Sequence, residues 1–408
     1  MNLLKVMDIK EVLETIRSNF SEGTVSEKVE LSRALGRIVC EDLISEENIP
    51  GFRRSSVDGY GINSKASAGA SEAMPSLFNL KGEVKMGETP KASIKVPGDC
   101  IYVPTGGMVP EGADSIVMIE YTESFDDDTI LINKPACPGE NLIDEDDDIE
   151  IGETIISKGT VLRAYEIAVL SSLGKKEIPV YKKLKCGIIS TGDEVVMPDI
   201  KPKPGQVRDI NSSLLSSLVE QNGGVPCVYG IYNDDIKELT DVIDKAAKEC
   251  DVVLISGGSS VGKKDETLET INNMKGSKLL VRGIAIKPGK PTLIAKIKEK
   301  VIFGLPGHPL ACAVIFNTFV KEYFNIKYTS HSMEYPLNCT FSVNYHKAKG
   351  REEFLPVKVE NSLGELIAVP IISKSAIMSA FSRAFGYIRI EKNIEGINKG
   401  ERVLVYKL

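Results

Sequence analysis

Tryptophan is absent from this chain of 408 residues, aromatic side chains make up only 6% of it, and histidine occurs three times. So thin a supply of aromatic rings leaves little from which to build a stacking platform for single-stranded nucleic acid. The three histidines (His308, His331, His346) and the eight cysteines include no Cys-x-x-Cys pair and no mixed cluster, which argues against a structural zinc site and a disulfide framework. Cysteines such as Cys186 and Cys312 lie in apolar runs, where a reduced thiol acts as a small core residue. Net positive charge is also missing: the balance of −7 argues against a general nucleic-acid binder, whose phosphate-contacting face is normally basic. No run approaches the ~20 apolar residues of a bilayer span, and Met1–Asp8 lacks the apolar region of a secretory signal. The expected location is the cytoplasm, with no membrane partner.

What is present is a patterned chain long enough for two to four domains. Residues 8–45 read as helical: Asp8 is placed to cap a helix carrying Ile9, Val12, Leu13 and Ile16, and Leu31, Ala34, Leu35 and Ile38 form a second set at helical spacing. From about 50 to 140 short strands alternate with Gly and Pro, as in Leu80–Met86, Cys100–Val103 and Ser115–Ile119, which predicts a small β domain. Helical signals return at Ala164–Leu173 after the acidic run 144–148. Over 179–328, strands Leu184–Ser190, Val225–Ile231 and Val252–Ile255 alternate with helices Ser212–Asn222 and Ile236–Glu249, the signature of parallel βαβ units with helices on both faces. The remainder carries short strands, such as Phe354–Val359 and Arg402–Tyr406, and reads as a small barrel or sandwich.

The chemistry concentrates in loops that follow strands. Asp251–Asp265 runs an apolar strand into Gly257, Gly258, Ser259, Ser260 and Gly262, small residues that let backbone N–H groups approach an anion. Lys287, Pro288, Gly289 and Lys290 form a second loop, in which rigid prolines fix two lysines, and Pro306, Gly307 and His308 a third. In open α/β sheets ligands sit at the carboxyl ends of strands, where these loops fall. Glu194, Asp234 and Asp265 also follow strands, so carboxylates should converge beside lysines, as at a Mg²⁺ site completed by phosphate oxygens. The alternative use of each acid is to cap the helix after it.

Arg54–Tyr60, Pro104–Gly107 with Glu111–Asp114, Ser190–Glu194, the Ser256–Asp265 loop, Lys287–Pro291 and Gly304–Gly307 occur in an order that resembles the molybdopterin molybdenumtransferase family, to which the gephyrin E domain belongs. The resemblance implies an elongated four-domain subunit: a central three-layer α/β/α molybdopterin-binding domain (179–328), an inserted small β domain (47–140), an N-terminal and linker domain (1–46 with 141–178) and a C-terminal β-barrel (329–408). It implies a Mg²⁺-dependent transferase that inserts molybdate into adenylylated molybdopterin supplied by a molybdopterin adenylyltransferase; departures from the family pattern leave tungstate as an alternative oxyanion. Thr191, Gly192 and the three loops would bind substrate, and Glu194, Asp234 and Asp265 the metal. A homodimer is also implied, with Asp58 and Thr105 of the small β domain completing the partner's site, and Arg351 and Ser375 are expected to bind the oxyanion.

The chain departs from the family pattern in three places. His308 replaces the Asn of Gly-Asn-Pro, a positive charge is missing before the acidic run 144–148, and Lys374-Ser375-Ala376 is shortened. A non-catalytic scaffold paralogue and an adenylyltransferase-like enzyme are the competing readings.

Overall fold

In the computed structural model, which describes residues 6–21, 23–258, 266–329, 335–372 and 382–407, a six-stranded sheet occupies the middle of the chain. Its elements in order are β1 (Lys185–Thr191), α1 (Asn211–Gln221), β2 (Val225–Tyr232), α2 (Ile236–Glu249), β3 (Val252–Ser256), α3 (Glu266–Asn273), β4 (Ser277–Arg282), β5 (Leu293–Ile297), β6 (Lys300–Leu305) and α4 (Pro309–Ile315). The spatial order is β2-β1-β3-β6-β5-β4. The first four strands are parallel, as the βαβ pattern predicts, and β5 and β4 join antiparallel to form one edge.

Strand periodicity explains the layers. Ile188 and Leu254 face a core that contains Leu215, Val219, Phe303, Phe316 and Phe324, while their neighbours Ile189, Val253 and Ile255 face Leu239, Ile243, Ala246 and Ile271 on the other side. α2 contributes Leu239, Val242, Ile243 and Ala246 at helical spacing. The chain leaves β1 for β2 on one side and returns to β3 on the other. The carboxyl ends of β1 and β3 therefore flank a topological switch point.

The N-terminal helix Ile9–Asn19 forms as expected, with Glu11 accepting a hydrogen bond from the backbone N–H of Asp8 at 2.9 Å. Its buried residues Ile9, Val12 and Ile16 join the α/β core, and the Phe20 ring meets Tyr323 edge-on at 5.3 Å. This helix packs with the central domain. The second helix expected around Leu31–Ile38 is not formed. Ser26–Glu30 is a strand paired with Glu177–Tyr181, Leu31–Arg33 is one tight turn, and Gly36 adopts φ +73°. Cross-strand pairing buries Ala34, Val39, Ile178 and Val180 together, so tertiary contacts outweigh a local helical pattern.

The small β domain is a six-stranded sheet centred on Gly59–Ile62, Asp99–Val103 and Ser76–Glu83. In the C-terminal part, Glu352–Ser362 pairs with both Glu365–Pro370 and Gly386–Ile390, and the ring through Leu337–Phe341 and Arg402–Lys407 closes a barrel. Ile286–Lys287 adds to this barrel in parallel beside Glu352–Glu353 and ties it to the α/β domain. The chain exposes 22116 Å², against about 15,600 Å² for a compact monomer of this mass, as an extended arrangement of domains requires. Cys100, Cys186, Cys250, Cys312 and Cys339 are buried free thiols, and burial pushes that of Cys100 up to about 12. No helix among the described residues is long and apolar enough to cross a membrane.

Candidate active site

The crevice at the switch point is built from glycine contacts. Gly257, at the end of β3, has φ +110°, and a Cβ there would lie 2.1 Å from the Thr191 carbonyl oxygen. Gly258 has φ +61°, and its Cβ would meet Thr267 Oγ1 at 2.4 Å. Only glycine fits either position, so the β3 loop lies directly against the end of β1. Asn211, one residue before the helix read at Ser212–Asn222, ties the crevice together. Its Nδ2 donates to Ser256 Oγ at 2.6 Å and to the Gly307 carbonyl at 2.8 Å, joining the ends of β3 and β6. Its Oδ1 is buried without a hydrogen-bond partner among the described residues. Just before this helix, Asp209 Oδ1 accepts from the Ser212 N–H at 3.0 Å.

Two of the three expected metal carboxylates are described, and neither is used as a helix cap. Asp235, not Asp234, caps α2, its Oδ1 accepting from the N–H groups of Lys237 and Glu238 at 2.9 Å each. Asp234 instead accepts a hydrogen bond from Thr191 Oγ1, and its own N–H donates to Asp193 Oδ1 at 3.3 Å. Glu194 folds over Gly192, where a Cβ would meet its Oε2 at 2.9 Å. It precedes a short pairing of Val195–Val196 with Val207–Arg208 and no helix. Asp265, Ser259, Ser260, Gly262 and Ser375 lie outside the described residues. Among the described residues no three His, Cys, Asp or Glu side chains form a metal cage. Two exchangeable carboxylates on neighbouring strand ends match the donors Mg²⁺ takes when phosphate oxygens and water complete its shell.

Beside the crevice lies a cavity of about 830 Å³ lined by Lys287, Pro288, Gly289, Lys290, Pro306, His308 and Arg351, together with barrel residues. Gly289 closes its floor: at φ +120° a Cβ would meet Ile315 Cδ1 at 2.6 Å. His308 begins α4, its carbonyl accepting from Cys312 N at 3.0 Å, and it also lines the cavity. Two wall residues, Glu353 and Tyr345, and Lys347 behind them lie outside the site residues read from the sequence. Glu353 Oε1 accepts from Lys287 Nζ at 2.8 Å and from the Tyr345 hydroxyl at 2.9 Å. Burial, followed by the bond to Glu353, raises the Tyr345 hydroxyl's pKa. Lys347 is buried behind them and donates to the carbonyls of Arg351 at 3.0 Å and Ala348 at 3.4 Å. Its pKa is lowered by burial, an effect that nearby Glu353 opposes.

Three domain families match in order: MoeA N-terminal region (domain I and II) over 7–174, a probable molybdopterin binding domain over 187–325, and MoeA C-terminal region (domain IV) over 338–408. A putative molybdopterin biosynthesis protein of Methanocaldococcus jannaschii is 33% identical, the alignment covering 98% of this chain and 96% of that protein. The chain belongs to the MoeA family. A Bacillus subtilis relative named molybdopterin molybdenumtransferase is 28% identical over 95% of this chain and 91% of its own length. The crystal structure of the molybdopterin biosynthesis MoeA protein of Pyrococcus horikoshii OT3 superposes with TM-score 0.88 at 32% identity, covering 99% of this chain and all of that one.

In this MoeA-family chain the expected pair from the small β domain stands together. Asp58 Oδ1 accepts from the Thr105 backbone N–H at 2.8 Å, and both residues are exposed. The turn is locked by Gly106 N–H to the Ser55 carbonyl at 2.8 Å and Ser55 N–H to the Gly107 carbonyl at 3.0 Å. The acidic run has a cation after all, supplied from a distant segment: Arg53 Nε donates to Asp144 Oδ1 at 2.7 Å.

Proposed function

We propose that the chain catalyses Mg²⁺-dependent insertion of molybdenum into molybdopterin, from adenylylated molybdopterin and molybdate, as a cytoplasmic step of molybdenum cofactor biosynthesis. The observation that carries this reading is the double use of one loop. A Cβ built on Gly307 would lie 3.6 Å from Gly257 Cα, so the two loops meet at the crevice, where the Gly307 carbonyl accepts from Asn211, while Pro306 and His308 line the cation-rich cavity. A phosphate held at the crevice and an oxyanion held in the cavity would be neighbours. The glycine loops offer backbone donors to the phosphates; Lys287, Lys290 and Arg351 offer cations to a tetrahedral oxyanion. Mg²⁺ held by Glu194 and Asp234 would neutralise charge on the phosphoanhydride during its cleavage by water. In the transfer itself, two thiols replace one oxo group of molybdate, and their protons leave with it as water.

Lys290→Ala and Arg351→Ala should each weaken molybdate binding about tenfold, with the loss shrinking at high salt because part of the attraction is screened. Calorimetric titration with molybdate at two salt concentrations measures this. Parental affinity in both variants would remove the cavity from the oxyanion site. Tungstate in the same titration tests the metal preference.

Asp58 and Thr105 enter the reading through a homodimer in which each small β domain completes the partner's site. An Asp58→Ala chain mixed with a Glu194→Ala chain should then regain activity, since one site of each mixed dimer is intact. Subunit exchange without recovered turnover would refute shared sites.

A further inference from the structure

We propose that Glu353 is a positioning residue that competes with the oxyanion for Lys287 and thereby keeps the bound oxyanion transferable. The inference rests on the cavity being the oxyanion site. The ion pair is asymmetric: the Glu353 side chain is 8% exposed, that of Lys287 52%. A carboxylate so deeply buried needs a cation beside it, and Lys287 Nζ at 2.8 Å is the one in contact. Glu353 is fixed in place by the barrel. It sits in Glu352–Ser362 opposite Ile390, and Lys287 is bound to the same strand through the parallel pairing of Ile286–Lys287. The flexible partner is therefore the ammonium, the group an oxyanion would also recruit. Among the described residues Lys290 and Arg351 have no carboxylate partner, so of the three cations lining the cavity only Lys287 is contested.

An oxyanion held by three uncontested cations would be bound tightly in its ground state, and tightening that is not carried into the transition state raises the barrier to transfer. Glu353 lowers the ground-state grip through one cation while leaving the other two in place. Tyr345 sets the strength of the competition, because its hydroxyl donates to the same oxygen, Oε1, that holds Lys287. The second oxygen, Oε2, is buried and has no partner among the described residues, so the negative charge is compensated almost entirely at Oε1.

The two substitutions should act in opposite directions. In titrations with molybdate, Glu353→Gln should bind about threefold to tenfold more tightly than the parent protein, because Lys287 is released to the oxyanion. Its KM for molybdate and its kcat should both fall. Tyr345→Phe should bind about twofold more weakly, since the unassisted carboxylate holds Lys287 harder. A merely structural role would weaken binding in both variants, and that result overturns the proposal, as does parental affinity in Glu353→Gln. If Glu353→Gln does not fold, Tyr345→Phe is measured with and without Lys287→Ala: a shift that vanishes without the ammonium supports the competition, and one that persists overturns it. Absence of molybdate binding by the parent protein overturns the cavity reading and this inference together, whereas parental binding with Glu353→Gln unchanged overturns this inference alone.

Discussion

Glu194→Ala and Asp234→Ala proteins are expected to fold and to lose about a hundredfold or more of their turnover, measured as AMP release from adenylylated molybdopterin. The structural cost should be small because neither carboxylate supports a helix end. Asp235 carries the cap of α2, and Glu194 stands exposed before a two-residue pairing. Asp234→Ala frees the Thr191 hydroxyl from its acceptor, a loss of about 1 kcal/mol for one hydrogen bond. Asp265→Ala is expected to behave alike, on the strength of its position after β3. A thermal melt within a few degrees of the parent, together with lost AMP release, is the expected pair of results. Parental turnover in either variant would take that carboxylate out of the chemistry.

The parts of this site that sequence revealed are those where one residue type has one use. β3 is buried along its whole length, and an uninterrupted apolar run ending in Gly-Gly has few other interpretations. The Lys-Pro-Gly-Lys-Pro loop reads the same way, and the structure brings it to the Pro306–His308 loop and Arg351 around one cavity. Residues that act through long-range partners were not legible. Glu353 looks like a polar residue beginning a strand until Lys287, 66 positions earlier, is seen to bond to it. Asn211 looks like a helix start until its amide is found joining two other strand ends. The failed helix at Leu31–Ile38 has the same origin: the spacing is helical, but the partners that bury Ala34 and Val39 come from 156–180.

Gly257→Ala should be the most damaging small substitution in the crevice, because it meets two separate penalties. The first is backbone strain: φ +110° is a conformation that an L side chain adopts at a cost of about 1–3 kcal/mol. The second is the clash: a Cβ 2.1 Å from the Thr191 carbonyl cannot be accepted unless β1 or β3 moves, and both strands are core elements with little room to shift. Gly230→Ala separates the two. Gly230 lies in β2 at φ +108°, with no heavy atom within 4 Å of its would-be Cβ. It carries nearly the same strain and none of the clash. Gly257→Ala should therefore melt at least about 4 °C below Gly230→Ala, the equivalent of a clash of about 1–2 kcal/mol in a domain of this size, and it should fail to bind adenylylated molybdopterin while Gly230→Ala retains binding. Equal melting temperatures with binding intact in both would show that the ends of β1 and β3 can separate freely, and the close approach of these strands would then not be what shapes the crevice.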